Sequence, residues 1–462
     1  MKKYILLAVS IVALAPRANA QCWLQVAAGN THTIGLQKDS TLWGWGLNTS
    51  FTLGDSTFAV IDTPKQIGNK KWRFIEASWN GTFAIDNAGK LWTCGTNTQY
   101  YFGTNLPGYK GLTQIGIDSN WAKICSTENG FSLALKTNGT IWACGRNTYG
   151  QLGMGNTTSL TAFTQIGTDT NWADITIGVR NCGAIKKDGT IWAWGQNAWG
   201  EFGDSTFVDR WSPKPIGTDT DWKSLAFYTH AIGVKTNGTL WGWGDDPIGA
   251  LGEIGIYPIY TPKQIGTDTN WLSVVTGQTS SFALKKDGSL WVAGYNLHGQ
   301  LGDGTSIDKS VFTHICIGIT FQQVSSENRH TCAIAKSGEL YCWGRNDQGQ
   351  LGIGTTSNAE LTPLKLGNFC APLSNLQFAV GNAQLQVYPN PATNHIILQY
   401  QTAQTASVCL YDVYGKQVLH LPILHADIPN RLDVAMLPSG LYMYKVVFGN
   451  GAVAMGKVQI EK

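Results

Sequence analysis

Three histidines, His32, His230 and His330, recur at one register of a repeated pattern. Imidazoles at a fixed spacing serve as metal ligands or as hydrogen-bonding struts. His32 and His330 fall in the first and last repeats, which adjoin if the chain closes into a ring, so a metal site can be drawn there. Units two and three, however, carry Gly81 and Gly130 at this register. The expectation is structural histidines, with no metal and no other cofactor. The phrases "GTDTNW" from Gly167 and Gly266, "GTDTDW" from Gly217 and "GIDSNW" from Gly116 place oxygen-bearing side chains at D-x-N or D-x-D spacing. Calcium asks for roughly six or more oxygens, and Asx-type turns account for the phrase with fewer demands. Nucleophile elbow, Walker loop, H-E-x-x-H and C-x-x-C are all missing. The chain is therefore not expected to be an enzyme, and no catalytic residues are expected.

The element that must position these residues is written seven times. "STLWGWGLN", "GKLWTCGTN", "GTIWACGRN", "GTIWAWGQN", "GTLWGWGDD", "GSLWVAGYN" and "GELYCWGRN" follow one another at steps of 49 or 50 residues. A fixed period in this range marks a repeat architecture. In a strand, Trp192 and Trp194 share one face and Ala193 the other. The position between the bulky residues is mostly small: Gly44, Thr93, Ala143, Ala193, Gly242, Val292 and Cys342. Each unit thus offers a bulky face to one neighbour and a small face to the other. Cys94 and Cys144 occupy the register held elsewhere by Trp45, Trp194, Trp243 and Trp343, so they read as packing residues. A second register, Trp23, Trp72, Trp121, Trp172, Trp222, Trp271 and Phe321, opens the units. Trp79, Trp199 and Trp211 fall outside both registers.

Within one unit, four strands are predicted near Asp174–Gly178, Cys182–Lys186, Thr190–Gly195 and Pro213–Ile216, with Asp188-Gly189 read as a two-residue hairpin turn. Four antiparallel strands repeated seven times predict an all-β fold, a seven-bladed β-propeller of four-stranded blades. Closure brings the two ends of the array together, so Cys22 and Cys370 form a possible disulfide.

Lys+Arg of 33 against Asp+Glu of 30, with only 14% charged residues, leaves no basic stripe for nucleic acid. Residues 1–20 read as a signal peptide, with Lys2-Lys3, an apolar run from Ile5 to Leu14 and Ala18-Asn19-Ala20. Ten apolar residues are too few to span a bilayer, and no transmembrane segment is expected. The propeller is assigned to 21–370, a linker to 371–384, and a small β-sandwich to 385–462.

The repeat departs from itself between the first and second strands, at the two positions before the histidine register. If the ring closes, these seven loops lie on one rim. They carry Trp79, Asn80, Glu128, Arg180, Tyr228, Gln278 and Arg329, including the aromatic and arginine types enriched at binding hot spots. These seven residues are the candidate partner-binding set, with a protein or a glycan as the unidentified ligand. A hydrolytic enzyme is a third reading. Among these loops Glu128 is the one carboxylate available to it.

The continuation "WGxNxxGQLG", with "GQLG" at Gly150–Gly153, Gly299–Gly302 and Gly349–Gly352, resembles the repeat of the regulator of chromosome condensation family, a seven-bladed propeller. Histidine at the register above is common in that repeat. Eukaryotic members act on a small GTPase and bind chromatin; an exported, nearly neutral chain is expected to do neither. Secreted bacterial propellers of the family include an inhibitor that grips its target with one rim, which makes rim-based protein binding credible. The C-terminal segment resembles the sorting domain of the type IX (Por) secretion system of Bacteroidetes. Its matching residues are Pro389, Asn390, Pro391, Gly415, Gly440, Tyr442, Lys457 and Lys462. That resemblance implies contact with the secretion machinery, passage across the outer membrane, and a secreted or cell-surface product.

Overall fold

The structure is a computed structural model describing residues 23–246, 248–252, 258–327, 329–367, 385–400, 406–412, 417–424, 430–448 and 453–462. The signal peptide, Cys22, Cys370, the linker 371–384 and Gly415 lie outside these residues, as does the proposed Cys22–Cys370 bond.

Seven four-stranded antiparallel sheets follow in chain order. In unit four the strands are Trp172–Ile177, Asn181–Lys186, Ile191–Gly195 and Arg210–Pro215. The first strand of each unit packs against the first strands of its two neighbours, and Phe321–Ser326 packs against Trp23–Ala28, so the ring is closed. Closure is written in backbone bonds. Each opening residue donates its N–H to the hairpin of the unit before it: Trp172 to Gly139 O (3.2 Å), Trp222 to Gly189 O (3.1 Å), Trp271 to Gly238 O (3.1 Å). Trp23 completes the circle on Gly338 O at 3.3 Å. Side chains of the innermost strands reinforce the same seam. The Gln323 amide both accepts from Val26 N (3.1 Å) and donates to Val26 O (3.0 Å), and Gln25 does the same to Ile75.

The turn expected as a two-residue hairpin is longer by one residue. Gly189 N donates to Lys186 O, and Lys186 N donates to Thr190 O, both at 2.9 Å, which leaves a three-residue loop. Gly189 sits at φ +81°, the left-handed position such a loop requires. The Asp188 carboxylate fixes the loop by accepting from Thr190 N and Oγ1.

The tryptophan phrase packs as its alternation predicts, and it also forms hydrogen bonds. Trp194, Trp243 and Trp343 are fully buried, and each indole donates to a carbonyl of the preceding unit: Gln151 O, Glu201 O and Gln300 O at 2.8–3.0 Å. Cys94 and Cys144 stand in the same register. Their thiols point at the equivalent carbonyls, Thr52 O (3.4 Å) and Tyr101 O (3.3 Å). Burial holds both thiols well above their usual pKa, so these are inert packing groups. Cys342, read as a small packing residue, is instead bonded to its cross-strand partner Cys332.

The "TDT" phrase has a role beyond its turn. In four units a lysine at the end of the second strand lies over two tryptophan faces and pairs with the aspartate of that phrase. Lys285 Nζ is 4.6 Å from the Trp271 ring, 4.0 Å from Trp291, and 2.5 Å from Asp268 Oδ2. Lys136 with Asp118, Lys186 with Asp169 and Lys235 with Asp219 repeat the arrangement. Asp268 is half in water, so the pair contributes little by itself, and the cation–π contacts carry most of the effect. Lys285→Met is expected to lower the unfolding free energy in urea by about 1–2 kcal/mol. The exposed Lys187→Met is expected to change it by less than about 0.5 kcal/mol. Equal effects would remove this role.

The C-terminal unit has two sheets around one core. Leu385–Tyr388, His395–Tyr400 and Asn430–Asp433 form the first; Gln417–Leu424, Ala406–Tyr411, Gly440–Phe448 and Val453–Ile460 form the second. Ile396, Leu398 and Leu432 meet Val408, Leu410, Val446 and Val458 inside. The sorting-type residues serve this fold. Asn390 Oδ1 accepts from Gln459 N (2.8 Å) between Pro389 and Pro391, and its amide donates to Lys457 O (3.3 Å). Tyr442 is buried and donates to Pro438 O at 2.9 Å. Gly440 opens the third strand of the second sheet, and the Lys462 ammonium donates to Ala435 O. No helix among the described residues is long and apolar enough to cross a membrane.

Candidate binding rim and channel mouth

Successive strands of a blade run in opposite directions, so the loops joining strands one to two and three to four emerge on the same face. Backbone bonds tie these loops together. Gln196 N donates to Arg180 O (3.0 Å), Tyr295 N to Thr279 O (2.9 Å) and Arg345 N to Arg329 O (2.8 Å). The longer loops are held from inside by one buried side chain per unit: Asn48, Asn97, Asn147, Asn197, Asp246, Asn296 and Asn346. Asn296 Oδ1 accepts from Leu301 N (2.9 Å), while its amide donates to Thr305 O (2.9 Å), Ile307 O (3.2 Å) and Asp303 Oδ1 (2.9 Å). This clamp is why "WGxN" recurs. It makes the outer rim a rigid platform.

The three histidines are struts between blades. His32 Nε2 meets Thr82 Oγ1 at 3.2 Å, His230 Nε2 meets Ser281 Oγ at 2.8 Å, and His330 Nε2 meets Thr33 Oγ1 at 2.8 Å across the ring closure. Burial lowers their pKa values to about 4, 4 and 3. They stay neutral at physiological pH. No group of three or more metal-ligating side chains stands together among the described residues.

The seven candidate residues divide into two sets. Trp79, Asn80, Glu128, Arg180, Gln278 and Arg329 are half-buried on the rim. Tyr228 is only 7% exposed, and its hydroxyl donates to Glu128 Oε1 at 3.0 Å. As an exposed aromatic anchor it is therefore withdrawn. It reaches inward, past unit four, to join unit five to unit three across the mouth of the central channel. The reason lies in spacing. Trp222 to His230 is eight residues, whereas Phe321 to His330 is nine, so the unit-five loop is one residue shorter. Counted from the opening aromatic, Tyr228 aligns with Glu327, and both point to the channel.

Glu327 and Glu76 escaped the sequence reading, which counted back from the histidine register and found Glu128 alone. They are half-buried at the same mouth. Burial, then the charges of Glu128 and Glu76, drives the Glu327 pKa well above the carboxylate range, and its Oε2 has no hydrogen-bond partner. Burial raises Glu76 to about 8, with Lys123 and the Ser126 N–H opposing. Burial and the charges of Glu128 and Glu327 raise the Tyr228 phenol. Deeper in the channel, Lys123 is spent on Asp174 at 2.6 Å. The mouth thus gathers Glu76, Glu128 and Glu327 around the Tyr228 phenol.

Outside the mouth the rim carries arginines and aromatics beside the carboxylates of its longer loops, among them Asp204, Asp209, Asp245, Asp303, Asp308 and Asp347. The Arg180 guanidinium lies 4.8 Å over the Tyr149 ring and its Nη1 donates to Gln196 Oε1 at 3.4 Å. Arg146 donates to Thr148 Oγ1 (3.1 Å). On units six and seven, His298 is held below its usual pKa by burial and then by Arg329 and Arg345. Of the tryptophans left unexplained by the repeat, Trp199 (55%) and Trp211 (51%) are exposed on unit four. Close by, Phe207 meets Tyr260 edge-to-face at 5.0 Å.

Comparison with known proteins agrees with this architecture. Residues 23–51, 129–151 and 321–350 match one model of the regulator of chromosome condensation repeat, and 337–381 match a second. Residues 386–461 match the secretion system C-terminal sorting domain. The chain is 30% identical over 139 residues to the ultraviolet-B receptor UVR8 of Arabidopsis thaliana, covering 28% of this chain and 31% of that protein. It is 28% identical over 135 residues to the protein RCC2 homolog of Xenopus laevis, covering 28% and 26%. The matched region thus spans about a third or less of these relatives. Among solved structures, Prp20p of Saccharomyces cerevisiae superposes with a TM-score of 0.63 at 19% identity, over 76% of this chain and 89% of that one. Human WBSCR16 gives 0.62 at 20%, over 68% and 87%. Both show the fold. A chain with this sorting domain is secreted or displayed at the cell surface and engages the secretion machinery. The protein is a seven-bladed propeller that carries matches to the regulator of chromosome condensation repeat, followed by a domain that matches the secretion system C-terminal sorting domain.

Proposed function

We propose that this propeller is a binding module that grips a partner protein with the rim carrying Trp79, Asn80, Glu128, Arg180, Gln278 and Arg329. The observation that carries the reading is Arg180, stacked on Tyr149 and held by Gln196 without a carboxylate partner. A guanidinium fixed in this way loses little entropy on meeting a ligand, which is what a hot spot needs. The scaffold supports it. Repeated residues are buried and clamped, while the residues that differ between units face outward on one side. A glycan ligand is the second reading, favoured by the exposed Trp199, Phe207, Trp211 and Tyr260, which offer stacking faces.

The test is affinity capture with the mature chain from protease-treated and untreated extracts, followed by Trp79→Ala with Arg329→Ala on the captured ligand. Capture abolished by protease, and affinity reduced about tenfold or more by the double substitution, is the expected result. Unchanged affinity, with the unfolding transition also unchanged, would defeat the rim assignment. Capture that survives protease would favour the glycan.

A further inference from the structure

Resting on the rim reading, we infer that the partner presents an acidic segment, whose carboxylates pair with Arg146 and Arg180 on units three and four and with Arg329 and Arg345 on units six and seven.

The distribution of paired and unpaired cations carries this. On the opposite face Lys136, Lys186, Lys235 and Lys285 each have an aspartate, and at the rim ends of the outer strands Arg210 has Asp204 and Lys309 has Asp303. Also on the rim, Arg345 has Asp347 at 2.5 Å, whereas Arg146, Arg180 and Arg329 have no ion pair among the described residues. Arg180 is satisfied by a ring face and a neutral amide, with its Nε buried and without a partner. Arg146 meets a hydroxyl. Arg329 stands with Arg345 beside His298 and has no ion pair among the described residues.

Guanidinium is the side chain best matched to a carboxylate, through two parallel N–H···O bonds. Lysine would supply charge without that fork. Placing the fork on a rigid rim, stacked and half-buried, leaves its planar edge for an incoming acid. The acids at the channel mouth do not oppose this. Glu327 and Glu76 are pushed toward their neutral forms, and Glu128 is capped by the Tyr228 hydroxyl.

The probe is a fluorescein-labelled decaglutamate peptide, titrated with the full mature chain and followed by anisotropy at low and high salt. Decalysine and polygalacturonate serve as comparison ligands. Saturable binding of decaglutamate is expected, weakened by salt as charge pairing requires. Arg146→Gln with Arg180→Gln, and separately Arg329→Gln with Arg345→Gln, should each weaken it about tenfold or more. Lys223→Gln, as the control for lost charge elsewhere, should leave it within about twofold. These arginines are half-buried but lie outside the blade cores, so the unfolding transition of each variant should stay close to that of wild type.

Absence of saturable binding, or arginine variants that bind as wild type, would overturn the inference. So would a preference for polygalacturonate over the peptide, which would assign the arginines to an acidic glycan. If the arginine variants are neutral while Trp79→Ala with Gln278→Ala still abolishes capture of the natural ligand, the rim reading stands and the acidic segment alone is rejected.

Discussion

Replacing Glu201 with glutamine should stabilise the protein by about 2 kcal/mol near pH 8 and leave it unchanged near pH 4. Glu201 is the "E" of "GEFG", 3% exposed, at a position where three sister units place Gln151, Gln300 and Gln350. Its carboxylate accepts from Trp199 N at 2.9 Å, as the Gln amide oxygens accept from Tyr149, His298 and Gln348. Burial first, and then the charges of Asp209 and Asp245, raise its pKa from 4.5 to about 7 against the pull of backbone hydrogen bonds. A carboxyl whose pKa is higher in the folded state binds its proton more tightly there. The stability it contributes is fully present below about pH 4.5 and is lost as pH rises through about 7. At 1.36 kcal/mol per unit, the loss is at most roughly 3 kcal/mol. The amide removes that pH dependence at some cost of its own, since Nε2 of Gln151 and Gln300 is buried without a partner. Urea unfolding at both pH values checks the difference. A gain of the same size at pH 4 would show that charge is not the cause.

The largest loss is expected from Asn296→Ala. One side chain satisfies the Leu301 N–H and the carbonyls of Thr305 and Ile307. Without it a buried donor and two acceptors lose their partner at once, and each such group costs about 1–3 kcal/mol. Partial rescue by water at the surface side limits the sum to about 3–5 kcal/mol. The loop Leu297–Asp308 should then become protease-sensitive before the blades unfold. Native-state proteolysis of the variant, with the new cleavage site mapped, checks both parts. A stability loss below about 1 kcal/mol, or cleavage first inside the strands, would contradict the clamp.

Much of this was legible in the sequence because the repeat measures itself. A period of 49 or 50 residues, alternating bulky and small positions, and glycine at the hairpins carry the blade count, the four strands and the role of the tryptophans. The C-terminal sandwich was legible for the same reason, through short alternating strands between turns. The channel mouth was not. Tyr228 and Glu128 are a hundred residues apart and meet because the ring curves, which no local pattern encodes. A single deleted residue in the unit-five loop then misaligned Tyr228, and counting back from the histidines hid Glu327. The lysine struts did leave a signal. Lys136, Lys186, Lys235 and Lys285 occur in the units preceded by "DSN", "DTN", "DTD" and "DTN", whereas unit seven, entered through "CIGITF", has Ala335. Reading those two positions together would have found the pair.

The central claim is that one face of the ring meets the partner, and a photo-crosslinker placed on either face tests it most directly. Benzoylphenylalanine at Gln278 or Asn80 reports on the rim. At Ile117 and Ile317, which are 91% and 86% exposed in the loops that enter units three and seven, it reports on the opposite face. The account predicts a crosslinked product of one common mass from both rim positions and none from Ile117 or Ile317. Crosslinks from the opposite face with the rim silent would contradict it.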